Sequence, residues 1–511
     1  LFSSKLSAIA EEMGEMLQRT ALSTNVKERR DFSCAILDAS GELVVNAPHI
    51  PVHLGSLGVC VREVTRALPL SADDVAITNH PAFGGSHLPD ITLVAPVHHE
   101  GRLLGYVANR AHHAEIGGKS PGSFPTDAAS LLEEGVVIAP RHLVRANEVL
   151  WQDIQTLLEA PPYPSRAVEE NLADLNAALA ALRHGQRELR GLAQQEGQAA
   201  LEEQMARLKG LAARQAQEAL RHRANALGLA PGHTRHCHHT LDDGTPLAVT
   251  LRFRQDGVDV DFTGTGGVHP GSLNATPAIV QSAVLYVLRL LLRRPLPLNE
   301  GLLQPVHLTI PEGLLAPRFG DDPAHAPAVV GGNVETSQRL VGCLLEALGM
   351  QAGSQGTMNN VIFGDANFGY YETLGGGVGA SATAAGASAV HSHMTNTAIT
   401  DVELLEMRHP VRIDRFALRQ GSGGVGRLKG GEGIIREFTF LAPLQLSLLT
   451  QHRNLGPRGL QGGSPGLPGR QTLFTAGGEE RELPAIAGCA VGPGDRLRVE
   501  TPGGGGYGAT S

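Results

Sequence analysis

Lysine is nearly missing from this 511-residue chain: Lys5, Lys27, Lys119, Lys209 and Lys429 are the only ones, far outnumbered by arginines. Codon usage is the simplest source of that bias. With a net charge of −9 and a pI near 6.2, no basic excess exists to hold a polyanion. That argues against a nucleic-acid partner or an anionic membrane surface. The five cysteines (Cys34, Cys60, Cys237, Cys343, Cys489) are scattered singly, without any C-x-x-C. Such a set offers no disulfide framework and leads us to expect a reducing, cytoplasmic setting. No apolar run of 18 or more residues is free of charge, so no membrane-spanning helix is expected. G-x-x-x-x-G-K-[ST] is absent, which disfavours a P-loop nucleotide site, and neither G-x-S-x-G match (Gly118–Gly122, Gly462–Gly466) opens a helical pattern as a serine-nucleophile elbow requires. Gly375–Ala380 copies part of a dinucleotide loop, but the small residues Ser381–Ala389 that follow open a helix poorly.

What is plentiful is glycine (63) and proline (31), concentrated in the C-terminal half. Length and a 42% hydrophobic content allow several cores. The patterning predicts a mixed α+β, multidomain chain. We expect an α/β region over 1–160, a helical segment over 161–229, an α+β domain over 230–410 and a β-rich, glycine-rich region over 411–511. Leu6, Ile9, Ala10, Met13, Met16 and Leu17 recur at helical spacing within 3–22. Strands are predicted at Cys34–Asp38, Leu43–Asn46, Val75–Thr78, Ile91–Val97 and Leu103–Asn109, with a helix over 54–68. Residues 166–226 are rich in good helix formers. Gly185, Gly191, Gly197 and Gly210 are expected to break or weaken that stretch, giving two or more packed helices or a coiled-coil-like pair. Leu247–Phe253 and Val258–Phe262 flank Gln255-Asp256-Gly257 as a hairpin, and 278–293 reads as a buried helix.

Two runs carry the chemistry: Gly84-Gly85-Ser86-His87-Leu88-Pro89-Asp90 and His112-His113-Ala114-Glu115-Ile116-Gly117-Gly118. Each contains His-x-x-acid beside a glycine pair that permits tight bends. One strand–turn–strand unit separates them, so both can reach the same end of adjacent strands. Two imidazoles and two carboxylates are a reasonable shell for Zn²⁺ or Mn²⁺; histidines merely bonded to carboxylates are the alternative. His49 and His53 bracket a proline and are not a helical i, i+4 pair; they read as an acid, a base, a substrate contact or plain turn residues. His233, His236, His238 and His239 surround Cys237, but no second cysteine is near in sequence and the alternation looks like the start of a strand. His393 and Asn396, in His391-Ser392-His393-Met394-Thr395-Asn396, read as a polar pocket lining or an ordinary loop.

At these residues the chain resembles the hydantoinase B/oxoprolinase family along essentially its whole length. The resemblance rests on Lys27–Cys34 (KERRDFSC), His49–Gly55 (HIPVHLG) and the two His-x-x-acid runs. Asp261–Thr265 (DFTGT), Gly332–Thr336 (GNVET), His393–Thr397 (HMTNT) and the glycine-rich end add to it. It implies that Asp31, His87, Asp90 and His112 hold a divalent metal, Zn²⁺ first and Mn²⁺ second, with His113 an alternative to His112. Glu115 stands where the family usually has Asp, which lengthens the arm. The implied activity is ATP-dependent opening of a cyclic amide. An A-type partner subunit, which carries ATP and Mg²⁺, phosphorylates the carbonyl oxygen, and the B-type chain hydrolyses the activated species with water made acidic at the metal site. His49, His53 or Glu115 would move the proton. The resemblance also implies a homodimer within a hetero-oligomer. A subunit of a ketone carboxylase (acetone or acetophenone type) and a non-catalytic scaffold are the alternatives.

Overall fold

The computed structural model describes residues 2–510 except 48, 49, 54, 293 and 295. His49 and the expected helix start at residue 54 therefore lie outside the described residues. The mixed α+β, multidomain character is as expected, with long helices and four sheets. Among the described residues no helix is long and apolar enough to cross a membrane.

The N-terminal sheet contains β1 (Phe32–Asp38), β2 (Leu43–Asn46), β3 (Val75–Thr78), β4 (Asp90–His99), β5 (Arg102–His112), β6 (Arg141–Arg145) and β7 (Glu148–Val149). Its order is β2-β1-β5-β4-β3-β6-β7, with every neighbouring pair antiparallel. Helix Phe2–Thr20 turns Leu6, Ile9, Ala10, Met13 and Leu17 inward and packs beside helix Val168–Glu196 on one face. Helix Ser56–Ala67 covers the other face through Leu57, Cys60, Val61 and Val64. Because both faces are covered, β1 and β4 are buried nearly continuously instead of alternating.

The helical stretch divides once, at Gly197, where φ is 85° between helices Val168–Glu196 and Gln198–Ala226. The expectation that Gly185, Gly191 and Gly210 also break it is corrected: all three run within helix. Gly185 is a contact residue, since a Cβ there would collide with Met13 of the first helix.

A second sheet (Thr234–Thr240, Pro246–Phe253, Val258–Asp261, Val306–Thr309) contains the expected hairpin and packs with helices Pro277–Leu291 and Ser337–Ala347 around one apolar core. Two further sheets enclose Phe363, Phe438, Phe440 and Leu497 in the β-rich end. The closing glycines pack backbone against backbone there. A Cβ on Gly377 would meet the main chain at Gly431 and Gly504.

Candidate metal centre

The ends of β1, β5 and β4 lie side by side. Asp90 is paired with His112 across β4 and β5, and the His112 N–H donates to the Asp31 carbonyl at 2.9 Å. Directly opposed residues share a sheet face, so register alone gathers Asp31, His112 and Asp90 in a row. His87 joins them from the turn before β4. That turn depends on Gly84, which has φ 79° and lies so close to the backbone of Cys60 that a side chain cannot fit.

His87, Asp90 and His112 present ligand-type atoms within 4.8 Å of one another. Asp31 lines the same hollow, whose volume is about 20 Å³ and whose wall includes His53, Asn333, Tyr371 and Met394. His87, Asp90 and His112 are 3% exposed or less, and Asp31 6%. Asp90 Oδ2 accepts from His53 Nε2 at 3.2 Å and from the Ser86 hydroxyl, with His87 Nε2 also 3.2 Å away. Asp90 Oδ1, both His87 ring nitrogens and His112 Nε2 are buried without a hydrogen-bond partner among the described residues. Buried polar atoms are normally satisfied, so orphans on three residues that line one hollow are a strong departure.

Supporting residues fix the rings. Ser33 Oγ accepts from the Ile50 N–H (3.3 Å) and so turns its hydrogen to His53 Nδ1 (3.0 Å). The His53 proton is then on Nε2, aimed at Asp90. Asn25 holds His112 Nδ1 through its amide at 2.9 Å, while its carbonyl accepts the Asp31 N–H at 2.9 Å. Tyr371 stacks on His112 at 5.0 Å and on Phe124 at 4.6 Å. The Arg29 guanidinium lies 4.7 Å over Tyr371 and donates to its carbonyl at 2.6 Å. The segment Gly332–Thr336 is a π-helical turn, and it brings Asn333 to the hollow.

Electrostatics follow from burial. Burial pushes the Asp31 carboxyl up to about 6, against the lowering effect of Arg29. Burial also acts to raise Asp90, but the imidazoles of His87 and His53 outweigh it and hold the group well below the usual carboxylate range. Burial, with His87 adding to it, keeps His112 neutral far below the ordinary imidazole range.

The other expected residues go elsewhere. His113 faces the opposite side of the strand, with Nδ1 3.1 Å from the Asn171 amide. The Glu115 carboxylate takes the N–H groups of Gly117 (2.5 Å) and Gly122 (2.8 Å) and pairs with Arg166 at 3.1 Å. It shapes its own loop and does not line the hollow. His393 and Asn396 part company: His393 is buried beside a larger cleft, whereas Asn396 is exposed at a separate surface hollow. Met394 and Thr395, between them, are the ones that reach the cluster.

The reading of the Cys237 region needs one correction. Thr234–Thr240 is a strand, as expected, but the fold brings Cys343 from helix Ser337–Ala347 to Cys237 and His239, all within 4.8 Å. Hydrogen bonding with Cys343 draws the Cys237 thiol down to about 6.

Sequence and structure comparisons agree in direction. A family profile described as Hydantoinase B/oxoprolinase matches residues 1–510. Over 528 residues the chain is 41% identical to 5-oxoprolinase 1 of Arabidopsis thaliana, covering all of this chain and 41% of that protein. It thus spans about two fifths of that relative's length. The crystal structure of an ATP-dependent caprolactamase from Pseudomonas jessenii superposes with a TM-score of 0.87 at 25% identity, covering 99% of this chain and 90% of that one. A nucleotide-free acetone carboxylase structure gives a TM-score of 0.84 at 17% identity, covering 99% and 74%, and so shares the fold.

Proposed function

This chain belongs to the hydantoinase B/oxoprolinase family, and from that premise we propose that it is the metal-bearing half of an ATP-dependent cyclic-amide hydrolase. One observation carries the reading: Asp90 Oδ1, His87 and His112 Nε2 belong to residues lining one buried hollow and have no hydrogen-bond partner among the described residues. Asp31 completes a set of two carboxylates and two imidazoles, which suits Zn²⁺ or Mn²⁺. A divalent ion neutralises the two buried carboxylates, and about 20 Å³ is room for one ion or one water. Such an ion supplies Lewis-acid polarisation of an activated carbonyl and acidifies water.

The chain's own residues do the rest. His53 Nε2–H and the Ser86 hydroxyl hold Asp90 Oδ2, which turns Oδ1 toward the hollow. Ligation by His112 Nε2 requires its proton on Nδ1, which the Asn25 side chain receives by turning its oxygen to the ring and away from Arg29 Nη1, its 3.4 Å donor in this structure. Tyr371 and Phe124 hold the ring in plane and exclude water. His53, already bonded to Asp90, is the group best placed to move a proton at this site, at Nε2. Glu115 is given no part, because its oxygens are occupied by its loop.

ATP and Mg²⁺ belong to an A-type partner that phosphorylates the substrate carbonyl, because an unstrained amide is a poor electrophile. The cyclic-amide reading is preferred to the ketone carboxylase because the caprolactamase chain is matched over more of its length and at higher identity. The test is an assay of the chain alone and with an A-type partner on hydantoin, 5-oxoproline and acetophenone. Alone it should hydrolyse neither ATP nor an unactivated lactam; with partner and ATP it should open a cyclic amide. Robust ATPase activity of this chain alone would refute the division of labour.

A further inference from the structure

A cleft of about 450 Å³ has His239, Asp242, Arg339, His393, His452 and Arg458 in its wall. Three chain segments separate it from the candidate metal centre and line both spaces. Gln338 and Arg339 face the cleft, whereas Asn333 and Val334 face the hollow. Gly356 and Met358 divide in the same way, as do His393 and Met394.

Arg339 stands in the first turn of helix Ser337–Ala347 and is 6% exposed. Its Nη2 donates to the Thr240 carbonyl at 2.6 Å, but Nε and Nη1 are buried with no hydrogen-bond partner. A buried guanidinium with idle donors is costly unless something supplies oxygens. The neighbouring carboxylates do not. Asp242 receives the N–H groups of His452 (3.1 Å) and Arg453 (2.7 Å). Glu335 receives the Met358 N–H (3.1 Å) and the Asn360 amide (2.6 Å) at Oε1, and among the described residues neither carboxylate is within ion-pair distance of Arg339. Arg458 also lines the cleft, with its Nη1 3.1 Å from the His238 carbonyl and 3.6 Å from the Glu346 carboxylate. Burial draws the Arg339 guanidinium down to about 10, against the raising effect of the Asp242 and Glu335 carboxylates. The adjacent Gln338 likewise has a buried amide oxygen without a donor.

From this geometry we propose that the cleft binds a small oxyanion, a carboxylate or a phosphate, whose oxygens take the free Nε–H and Nη1–H of Arg339. Guanidinium–oxyanion contacts of this kind are strong and charge-assisted. On the functional reading above, that anion is part of the molecule delivered to the metal centre, either its own acid group or a phosphoryl group it has acquired. The Gln338 oxygen then accepts an N–H or O–H from the same ligand.

Isothermal titration of the full chain with inorganic phosphate and with 5-oxoproline tests this, wild type against Arg339→Gln. Saturable binding of either anion, weakened about tenfold or more by the substitution, is expected. Phosphate alone identifies a phosphoryl subsite; 5-oxoproline alone identifies a substrate carboxylate. Binding of neither anion, or binding undiminished in the variant, overturns the proposal. If Arg339→Gln does not fold, wild-type crystals soaked in tungstate give the same decision. An anomalous peak at hydrogen-bond distance from Arg339 supports the site, and its absence from the cleft refutes it. Metal content measured on the same samples keeps the two ideas separate, since a wild-type chain that holds its metal but binds neither anion overturns only the cleft.

Discussion

Asn25 is the residue on which the candidate metal centre depends most without belonging to it. Its amide is 2.9 Å from His112 Nδ1, and its carbonyl accepts the Asp31 N–H at 2.9 Å. It is 1% exposed, so water cannot replace the side chain. Asn25→Leu keeps the backbone bond and similar bulk but leaves His112 Nδ1 unpaired, which costs about 1–3 kcal/mol. Where ligation by Nε2 needs a proton on Nδ1, losing the acceptor should weaken metal binding about 10- to 100-fold, or roughly 1.4–2.8 kcal/mol. Asn25→Asp presents only oxygens to Nδ1 and should bind at least as tightly as wild type. Competition with a chromogenic chelator reads the affinity, and circular dichroism checks the fold. If a natively folded Asn25→Leu protein holds zinc within a factor of two of wild type, the proposed tautomer and the role of Asn25 are both wrong.

Two predictions concern stability. The His409 ring lies among Phe363, Phe368 and Tyr370, and burial, helped by Arg408, draws it down to about 4. Unfolded histidine takes its proton near 6.5, so this contribution is complete above pH 6.5 and lost as pH falls toward 4. The full gap is about 3 kcal/mol, and partial exposure of the residue reduces it to about 1–2 kcal/mol. His409→Phe should flatten the pH dependence of the urea midpoint across that range; an unchanged slope would refute the assignment. Arg436 and Glu372 form a wholly buried ion pair at 3.1 Å. Arg436→Met should cost about 3–5 kcal/mol in urea unfolding by stranding Glu372, with much of it recovered on adding Glu372→Leu. Equal loss in the single and double variants would contradict that reason.

Much of this architecture is legible locally. Apolar runs and flanking turn residues delimit Leu43–Asn46 and Val75–Thr78, and the amphipathic spacing of Leu6, Ile9, Met13 and Leu17 marks a helix that does pack by that face. The two His-x-x-acid runs point to one sheet end because a single hairpin joins them. What spacing alone leaves open is the choice between His112 and His113. Strand register decides it, since alternate residues face opposite sides of β5. Asp31, Tyr371 and Met394 reach the hollow, and Asn25 reaches His112, through contacts between segments far apart in sequence, and no local pattern announces them. Cys343 meets Cys237 for the same reason. Gly185 misled because a glycine required by close helix packing has the same local signature as one that ends a helix.

The central claim is that Asp31, His87, Asp90 and His112 hold a divalent metal. Elemental analysis of the natively purified chain, beside His87→Ala and Cys237→Ser, tests it most directly. The account predicts about one equivalent of Zn or Mn in wild type, retained in Cys237→Ser and lost in His87→Ala while the circular dichroism spectrum stays native. A metal-free native protein, or metal that survives His87→Ala but disappears with Cys237→Ser, would contradict it.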